Sequence, residues 1–418
     1  MPYNTAVIRD LLTAALDDET LTALCFDHFR PVYDQFAAGM SRPDKIQRLL
    51  DHCHRHDGFA LLLTHIEARN PTQHAQFAGQ IMLSDPVPPP PPRAATNPFV
   101  YGSAVPPELF YGRQDILAAI VQRVGGQTAQ SISIVGERRM GKSSLLTYIK
   151  ARAADFFAAE RNMLIISLDL TRGYSHTRQG LMRYLRRELT HAWREPWSAD
   201  DDGDLGAFDF ALEDLHADGV RLLLCLDEVE NLTQRAGEFN DVLEDWRACG
   251  SHGQLAMLTA SAQPLADLCA SGGLTSPFYN IFEQRQLGLF QPPEWRDLVT
   301  DHMTTASPDD LAFIERVAGG QPFFTQMAAA YLWEAQANPV VDYDALYETL
   351  YDQITPHLKH LWAKLTVIEQ ATLRRLINKQ STLNPNSRLL AVLTRRGLVR
   401  DGQPFSDLFA ELIREDLG

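Results

Sequence analysis

The chain has 418 residues, 45% hydrophobic and 22% charged; this globular composition excludes a wholly disordered protein and, at roughly 100–200 residues per domain, suits two to four domains. Its 38 Lys and Arg against 53 Asp and Glu give a net charge of −15, which opposes indiscriminate wrapping of nucleic acid or of an acidic membrane surface but leaves room for a local basic patch. No apolar run approaches the roughly 18 residues of a membrane span, no basic-then-apolar leader opens the chain, and the five cysteines form no C-x-x-C pair, so a cytoplasmic chain with reduced, structural thiols is expected.

Residues 1–80 read as a bundle of short helices. Ser41 can cap a helix with Asp44 at its third position, and Ile46, Leu49, Leu50 and Cys53 follow at helical spacing. Val7, Leu11 and Leu12, then Leu21, Leu24 and Cys25, then Leu62, Leu63 and Ile66 give comparable stripes, the last stopping at Asn70-Pro71. Pro86 and Pro88 to Pro92 place six prolines in seven residues, which predicts an extended spacer within residues 81–108.

Beyond it, apolar segments at Ser131–Val135, Met163–Leu168, Leu222–Leu226, Leu255–Thr259 and Gln286–Phe290 alternate with amphipathic ones, predicting a mostly parallel sheet flanked by helices over residues 109–290. Helices dominate from 291. Ser307-Pro308-Asp309-Asp310 starts one and Gly319-Gly320 ends it, within a helical region 291–355. The last segment, 356–418, combines helices, a strand at Gly397–Arg400, a turn at Asp401-Gly402 and a closing helix, an order that suits a winged helix.

Gly136-Glu137-Arg138-Arg139-Met140-Gly141-Lys142-Ser143 matches G-x-x-x-x-G-K-[ST] between a strand and the helix expected at Ser144–Lys150. In that context the loop amides and the helix dipole face phosphate oxygens. Lys142 would neutralise the β- and γ-phosphates, and the Ser143 hydroxyl would ligate Mg²⁺. Leu222–Leu226 runs into Asp227-Glu228: Asp227 is the expected second Mg²⁺ contact and Glu228 the group that orients or deprotonates water. ATP and ADP with Mg²⁺ are therefore the expected ligands, with slow hydrolysis, and Glu230 reads as a surface charge.

These motifs, with Phe110-Tyr111-Gly112-Arg113 and Gly319-Gly320-Gln321-Pro322, resemble AAA+ ATPases, most closely the signal-transducing STAND branch and its origin-recognition and archaeal relatives. The resemblance implies that Tyr111, Gly112 and Arg113 frame the adenine or ribose and that Pro322 packs on the base. It also implies that Thr259 or Ser261 senses the γ-phosphate and that Arg285 is an arginine finger for a neighbouring subunit. The remaining loop residues, with Ser144, complete the nucleotide-binding set.

Leu24-Cys25-Phe26-Asp27, Val32-Tyr33-Asp34-Gln35-Phe36 and Gly39-Met40-Ser41 resemble the bacterial effector-associated domain of the seventh class, a death-like helical adaptor. That resemblance implies pairing with a matching domain on an effector such as a caspase-like or other protease. The two resemblances imply a nucleotide-dependent homo-oligomer acting as a signalling switch in bacterial conflict. The alternative is a DNA-binding ATPase: residues 356–418 hold ten Lys and Arg against six Asp and Glu, and Arg374, Arg375, Arg388, Arg395, Arg396 and Arg400 could meet phosphates. Against this, Arg395 and Arg396 could pair with acidic residues of the same chain. A metal site at His52, Cys53 and His56 and a calcium loop at Asp200–Asp204 lack the required spacings.

Overall fold

The structure is a computed structural model and describes residues 3–37, 39–56, 58–81, 96–126, 128–157, 162–338, 340–378 and 388–415. The proline run lies outside them. The chain divides into two compact units, residues 1–96 and 97–418.

The first unit is helical: α1 (Thr5–Ala15), α2 (Asp18–His28), α3 (Arg30–Tyr33), α4 (Arg42–His56), α5 (Phe59–Arg69) and α6 (Pro71–Ile81). The stripes read from the sequence close one core, in which Leu11, Leu12, Leu24, Cys25, Leu49, Cys53, Leu62 and Ile66 are fully or almost fully buried. Short polar contacts fix the ends. Asp17 accepts from the Thr20 N–H at 2.9 Å to cap α2, and the Lys45 ammonium reaches Asp18 at 2.8 Å, tying α4 to α2.

In the second unit α7 (Gln114–Val124) precedes β1 (Ser131–Val135), α8 (Lys142–Ala151), α9 (Ala153–Phe156) and β2 (Asn162–Asp169). Then come α10 (Arg178–Ala192), α11 (Leu205–Ala217), β3 (Val220–Asp227), α12 (Glu230–Thr233), α13 (Ala236–Ser251), β4 (Leu255–Ser261), α14 (Leu265–Gly272) and β5 (Phe282–Gln286). The five strands are parallel in the order β2-β3-β4-β1-β5. Because β4 and β1 are neighbours while their chain connections run to different sides, the C-terminal ends of β1, β3 and β4 open onto one crevice, where sheets of this kind bind ligands. The last strand is Phe282–Gln286 rather than Gln286–Phe290. The apolar residues after it, including buried Leu287, belong to the turn that leaves the sheet.

The rest is helical: α15 (Pro292–His302), α16 (Pro308–Ala318), α17 (Pro322–Ala335), α18 (Tyr343–Ala363), α19 (Val367–Ile377) and α20 (Arg388–Arg395), then a hairpin of β6 (Val399–Arg400) and β7 (Gln403–Pro404), and α21 (Asp407–Glu415). The α16 cap is reciprocal, the Asp310 N–H donating to Ser307 Oγ at 3.2 Å and the Ser307 N–H to Asp310 Oδ2 at 2.8 Å. The boundary expected after residue 355 falls inside the 21-residue α18, which carries Pro356 in its interior. Nor do the two segments have separate cores: Trp295, Phe313, Phe324, Leu350, Leu373, Leu393 and Phe409 belong to one buried cluster. No helix among the described residues is long and apolar enough to cross a membrane.

Candidate functional site

The phosphate loop hangs from β1, all five residues of which are buried. The Gly136 N–H donates to the Ser261 carbonyl at 3.1 Å, pinning the loop to the end of β4, and a Cβ at Gly136 would lie 2.8 Å from the Leu287 carbonyl oxygen. Gly141, at φ 90°, turns the loop into α8, which starts at Lys142, two residues earlier than expected. Lys142 is 6% exposed, and its ammonium donates to the carbonyls of Gly136 at 2.9 Å and Glu137 at 3.2 Å. Burial lowers its pKa, opposed by Glu228, Glu230, Asp227 and Glu137.

Opposite it, β3 ends in Asp227. Burial raises the Asp227 pKa against a hydrogen bond from the Ser143 hydroxyl, so the last residue of β3 and the second residue of α8 meet directly. Glu228 follows in the left-handed region at φ 55°, an uncommon conformation for a non-glycine residue, with its N–H on Asp227 Oδ1 at 3.1 Å. Burial raises the Glu228 pKa, and the neighbouring Glu230 carboxylate raises it further. Glu230 is thus no free surface charge. It is half-buried, and its Oε1 accepts from the Ala262 N–H just past β4 at 3.2 Å. Its position two residues after Glu228 was visible in the sequence; the turn that folds it back was not.

A cavity of about 330 Å³ joins these groups to an apolar wall. Lys142, Ser143, Ser144 and Glu228 line one end, and Tyr111, Phe290, Leu298 and Pro322 the other. Val100, Tyr101, Ser103, Ala104 and Val105 also border it, although they fall in the segment expected to be spacer. The Asn97 side-chain amide donates to the Ala330 carbonyl at 3.0 Å, the Val100 N–H to Gln326 Oε1 at 3.0 Å and the Val105 N–H to Ser144 Oγ at 3.2 Å. Apart from buried Phe99, little apolar pattern advertises this strap.

Other candidates are placed differently. Tyr111 borders the cavity and donates its hydroxyl to Asp301 at 3.1 Å. A Cβ at Gly112 would strike the Glu294 carboxylate. Arg113 is buried and donates to the carbonyls of Gly288 at 2.8 Å, Leu289 at 3.3 Å and Met140 at 3.3 Å, so its guanidinium ties the loop to the turn after β5. Ser261 Oγ donates to the Gln263 carbonyl at 2.7 Å, and neither Ser261 nor Thr259 lines the cavity. Arg285 lies within β5, not before it, and pairs with Glu283 away from the cavity.

Within the loop, Met140 is buried, Arg138 is exposed, and the Arg139 guanidinium stacks 4.2 Å from the Phe323 ring centroid. Glu137 receives Arg396 Nε at 2.6 Å, while the same guanidinium also meets Glu369. Arg400 bonds Glu315 at 3.2 Å. Of the C-terminal arginines, Arg396 and Arg400 are therefore engaged inside the unit.

All five cysteines are buried and free, and burial pushes the thiols of Cys25, Cys53 and Cys225 up to about 12. Asp202 is no open loop carboxylate: it is buried against Arg186 at 2.8 Å and the Trp197 Nε1–H at 3.2 Å, while Asp204 caps α11.

Residues 107–412 match the family model of the AAA-like domain, and residues 8–71 that of effector-associated domain 7. The chain belongs to the AAA-like family of P-loop ATPases, with an effector-associated domain ahead of the ATPase. Among solved structures it is similar to a Walker-type ATPase of Pyrococcus abyssi, at TM-score 0.48 and 15% identity over 73% of this chain and 96% of that one. It is also similar to the ORC2 protein of Aeropyrum pernix in ADPNP–ADP complexes, at TM-score 0.48 and 13% identity over 76% and 98%. A signal transduction ATPase with numerous domains and a tetratricopeptide repeat sensor from Pyrococcus horikoshii aligns at TM-score 0.36 and 17% identity over 76% of this chain and 44% of that one. No curated protein matches the sequence.

Proposed function

We propose that the protein is a STAND-like signalling switch: it binds and slowly hydrolyses ATP, assembles with copies of itself, and recruits an effector through residues 1–80. The observation that carries this reading is the joining of an effector-associated domain to an ATPase unit whose phosphate loop is held by its own C-terminal segment through Arg396 and Glu137. A nucleotide can drive such a switch only by binding one arrangement of these parts more tightly than the other.

In this reading the triphosphate lies along the loop amides at the start of α8, with Lys142 on the β- and γ-phosphates and the base between Tyr111 and Pro322. Ser143 and Asp227 fit Mg²⁺: they offer a hydroxyl and a carboxylate, both hard oxygen donors, already hydrogen-bonded to each other. When bound, the ion neutralises charge on the phosphate oxygens. Glu228 orients water and accepts its proton, and the nearby Glu230 carboxylate, by raising the Glu228 pKa, makes it a stronger base. Ser261 acts through the backbone that anchors Gly136. Arg285 is exposed on the edge strand, where a second subunit could meet it.

The rival reading, a DNA-binding ATPase, has lost Arg396 and Arg400 to internal pairs. Mass measurement of the full chain with ADP, with ATP, and with ATP plus Glu228→Gln tests the switch. Glu228→Gln with ATP should accumulate the assembled form, whereas Lys142→Ala should not assemble. If Lys142→Ala assembles and recruits as the wild type does, the switch reading fails; salt-sensitive DNA binding removed by reversing Arg395 would favour the rival.

A further inference from the structure

A second cavity, of about 1140 Å³, borders the same phosphate loop without touching Lys142 or Ser143. Its walls come from the loop, β5, the C-terminal part of α18 and the end of α20. Six Lys and Arg line it against three carboxylates, Glu137, Asp267 and Glu369, and Arg396 already engages two of those three. Arg138, Lys364 and Arg395, from three different elements, are in no ion pair among the described residues. The positive potential is felt locally: His357 is held below its ordinary value by burial first, then by Arg139, Arg138 and His360. Beside these cations lies the Phe323 ring, which is 7% exposed, carries the Arg139 guanidinium 4.2 Å from its centroid and stands edge-to-face with His357 at 5.0 Å.

Arg138, Lys364 and Arg395 carry like charge on separate elements around one cavity, so an anion bound among them favours the docked arrangement. The lining also limits the anion. Cations that line one cavity suit a compact polyanion, although the volume lies just above the roughly 300–1,000 Å³ typical of small-molecule sites. Duplex readers of the winged or helix-turn-helix kind carry their cations along one inserted helix, whereas Arg138, Lys364 and Arg395 come from three elements around one cavity.

We propose that this cavity binds a small organic polyphosphate, at a site that shares Arg138, Arg139 and Phe323 with the wall of the first cavity but includes neither Lys142 nor Ser143. Such a ligand bridges the phosphate loop and the C-terminal helices, and so acts on the same contact that Arg396 makes. The binding claim does not depend on the switch reading; only its regulatory consequence does.

The test is calorimetric titration of the full chain with inorganic tripolyphosphate, with fluorescent ADP binding measured on the same samples. Lys142→Ala should lose ADP and keep one saturable tripolyphosphate site that weakens as salt rises. Lys364→Glu with Arg395→Glu should weaken tripolyphosphate by about tenfold or more and leave ADP binding intact, because both side chains are exposed and neither lines the cavity at Lys142. Arg9→Glu with Arg48→Glu, an equal charge change in the first unit, should leave it unchanged. Loss of the site in Lys142→Ala, no effect of the Lys364 and Arg395 reversals, or an equal loss in the Arg9 and Arg48 control would overturn the proposal. So would a short DNA duplex that outbinds tripolyphosphate and is lost on the same reversals.

Discussion

Arg396 serves two carboxylates at once, and both are almost enclosed: the Glu137 side chain is 13% exposed and that of Glu369 10%. Glu369 is doubly used, since its Oε2 accepts from the Thr366 N–H at 2.8 Å to cap α19 while its Oε1 meets Arg396. Removing the guanidinium leaves two sheltered negative charges without their partner, so Arg396→Ala should lower stability by about 2 kcal/mol. Faster hydrogen exchange at residues 392–398 and in the phosphate loop should accompany it; unchanged exchange there would show that the pair holds nothing. Asp245 gives a pH-dependent case. Burial, then Asp209 and Asp241, push its pKa up to about 6 from 3.8, and its Oδ2 is buried without a hydrogen-bond partner. A carboxyl whose folded pKa is raised favours the fold while protonated, below the unfolded value, and that advantage is lost as pH rises through 6. Asp245→Asn should therefore raise the melting temperature at pH 8 and not at pH 4; because the group is half-exposed, solvent screening limits the gain to about 1 kcal/mol. Single residues were unevenly legible. The Lys142, Ser143 and Asp227 cluster follows from a motif whose spacing has one structural meaning, whereas the Glu137–Arg396 pair spans most of the chain and has no local signature.

At the scale of elements, the same contrast between local and remote causes decides what could be read. β1, β3 and β4 are buried on both sides and announce themselves as apolar runs, but β5 is an edge strand of sequence Phe-Glu-Gln-Arg-Gln. Hydrophobicity therefore points past it to the buried turn at Leu287. The α16–α17 junction shows what such turns do for packing. Gly319 has φ 55°, and a Cβ there would lie 1.6 Å from the Phe405 carbonyl oxygen, so the turn lies directly against the chain that follows β7. Gly402, in the hairpin, has φ 75° but nothing within 4 Å of such a Cβ. Gly402→Ala should cost only the backbone strain of a left-handed alanine, about 1 kcal/mol. Gly319→Ala adds a backbone collision and should cost about 2–4 kcal/mol. Chemical denaturation of both variants checks this, and equal midpoints would mean that the hairpin yields freely.

At the scale of the whole molecule, each of the two units has buried clusters of its own. The first unit closes around Leu11, Leu24, Leu49 and Leu62, while the second contains the sheet clusters and the continuous helical cluster from Phe99 to Ile413. The strap at residues 97–105 reaches Gln326 and Ser144, so the ATPase unit uses residues on the C-terminal side of the proline run. Deleting residues 1–85 should therefore leave nucleotide affinity and turnover within about twofold, while abolishing any recruitment through the effector-associated domain. Deleting to residue 106 should go further and impair nucleotide binding, because it strips one wall from the cavity and unpairs Gln326, which is 6% exposed. Fluorescent ADP titration of the two truncations separates these outcomes. Equal affinity in both would mean that the strap only borders the site, and loss already at residue 85 would mean that the first unit contributes to it. The shared core of α15 to α21 sharpens the expectation for motion: a nucleotide acting at Pro322 should move the C-terminal hairpin with it as one body, since separating them would expose Phe324, Phe405 and Phe409 together.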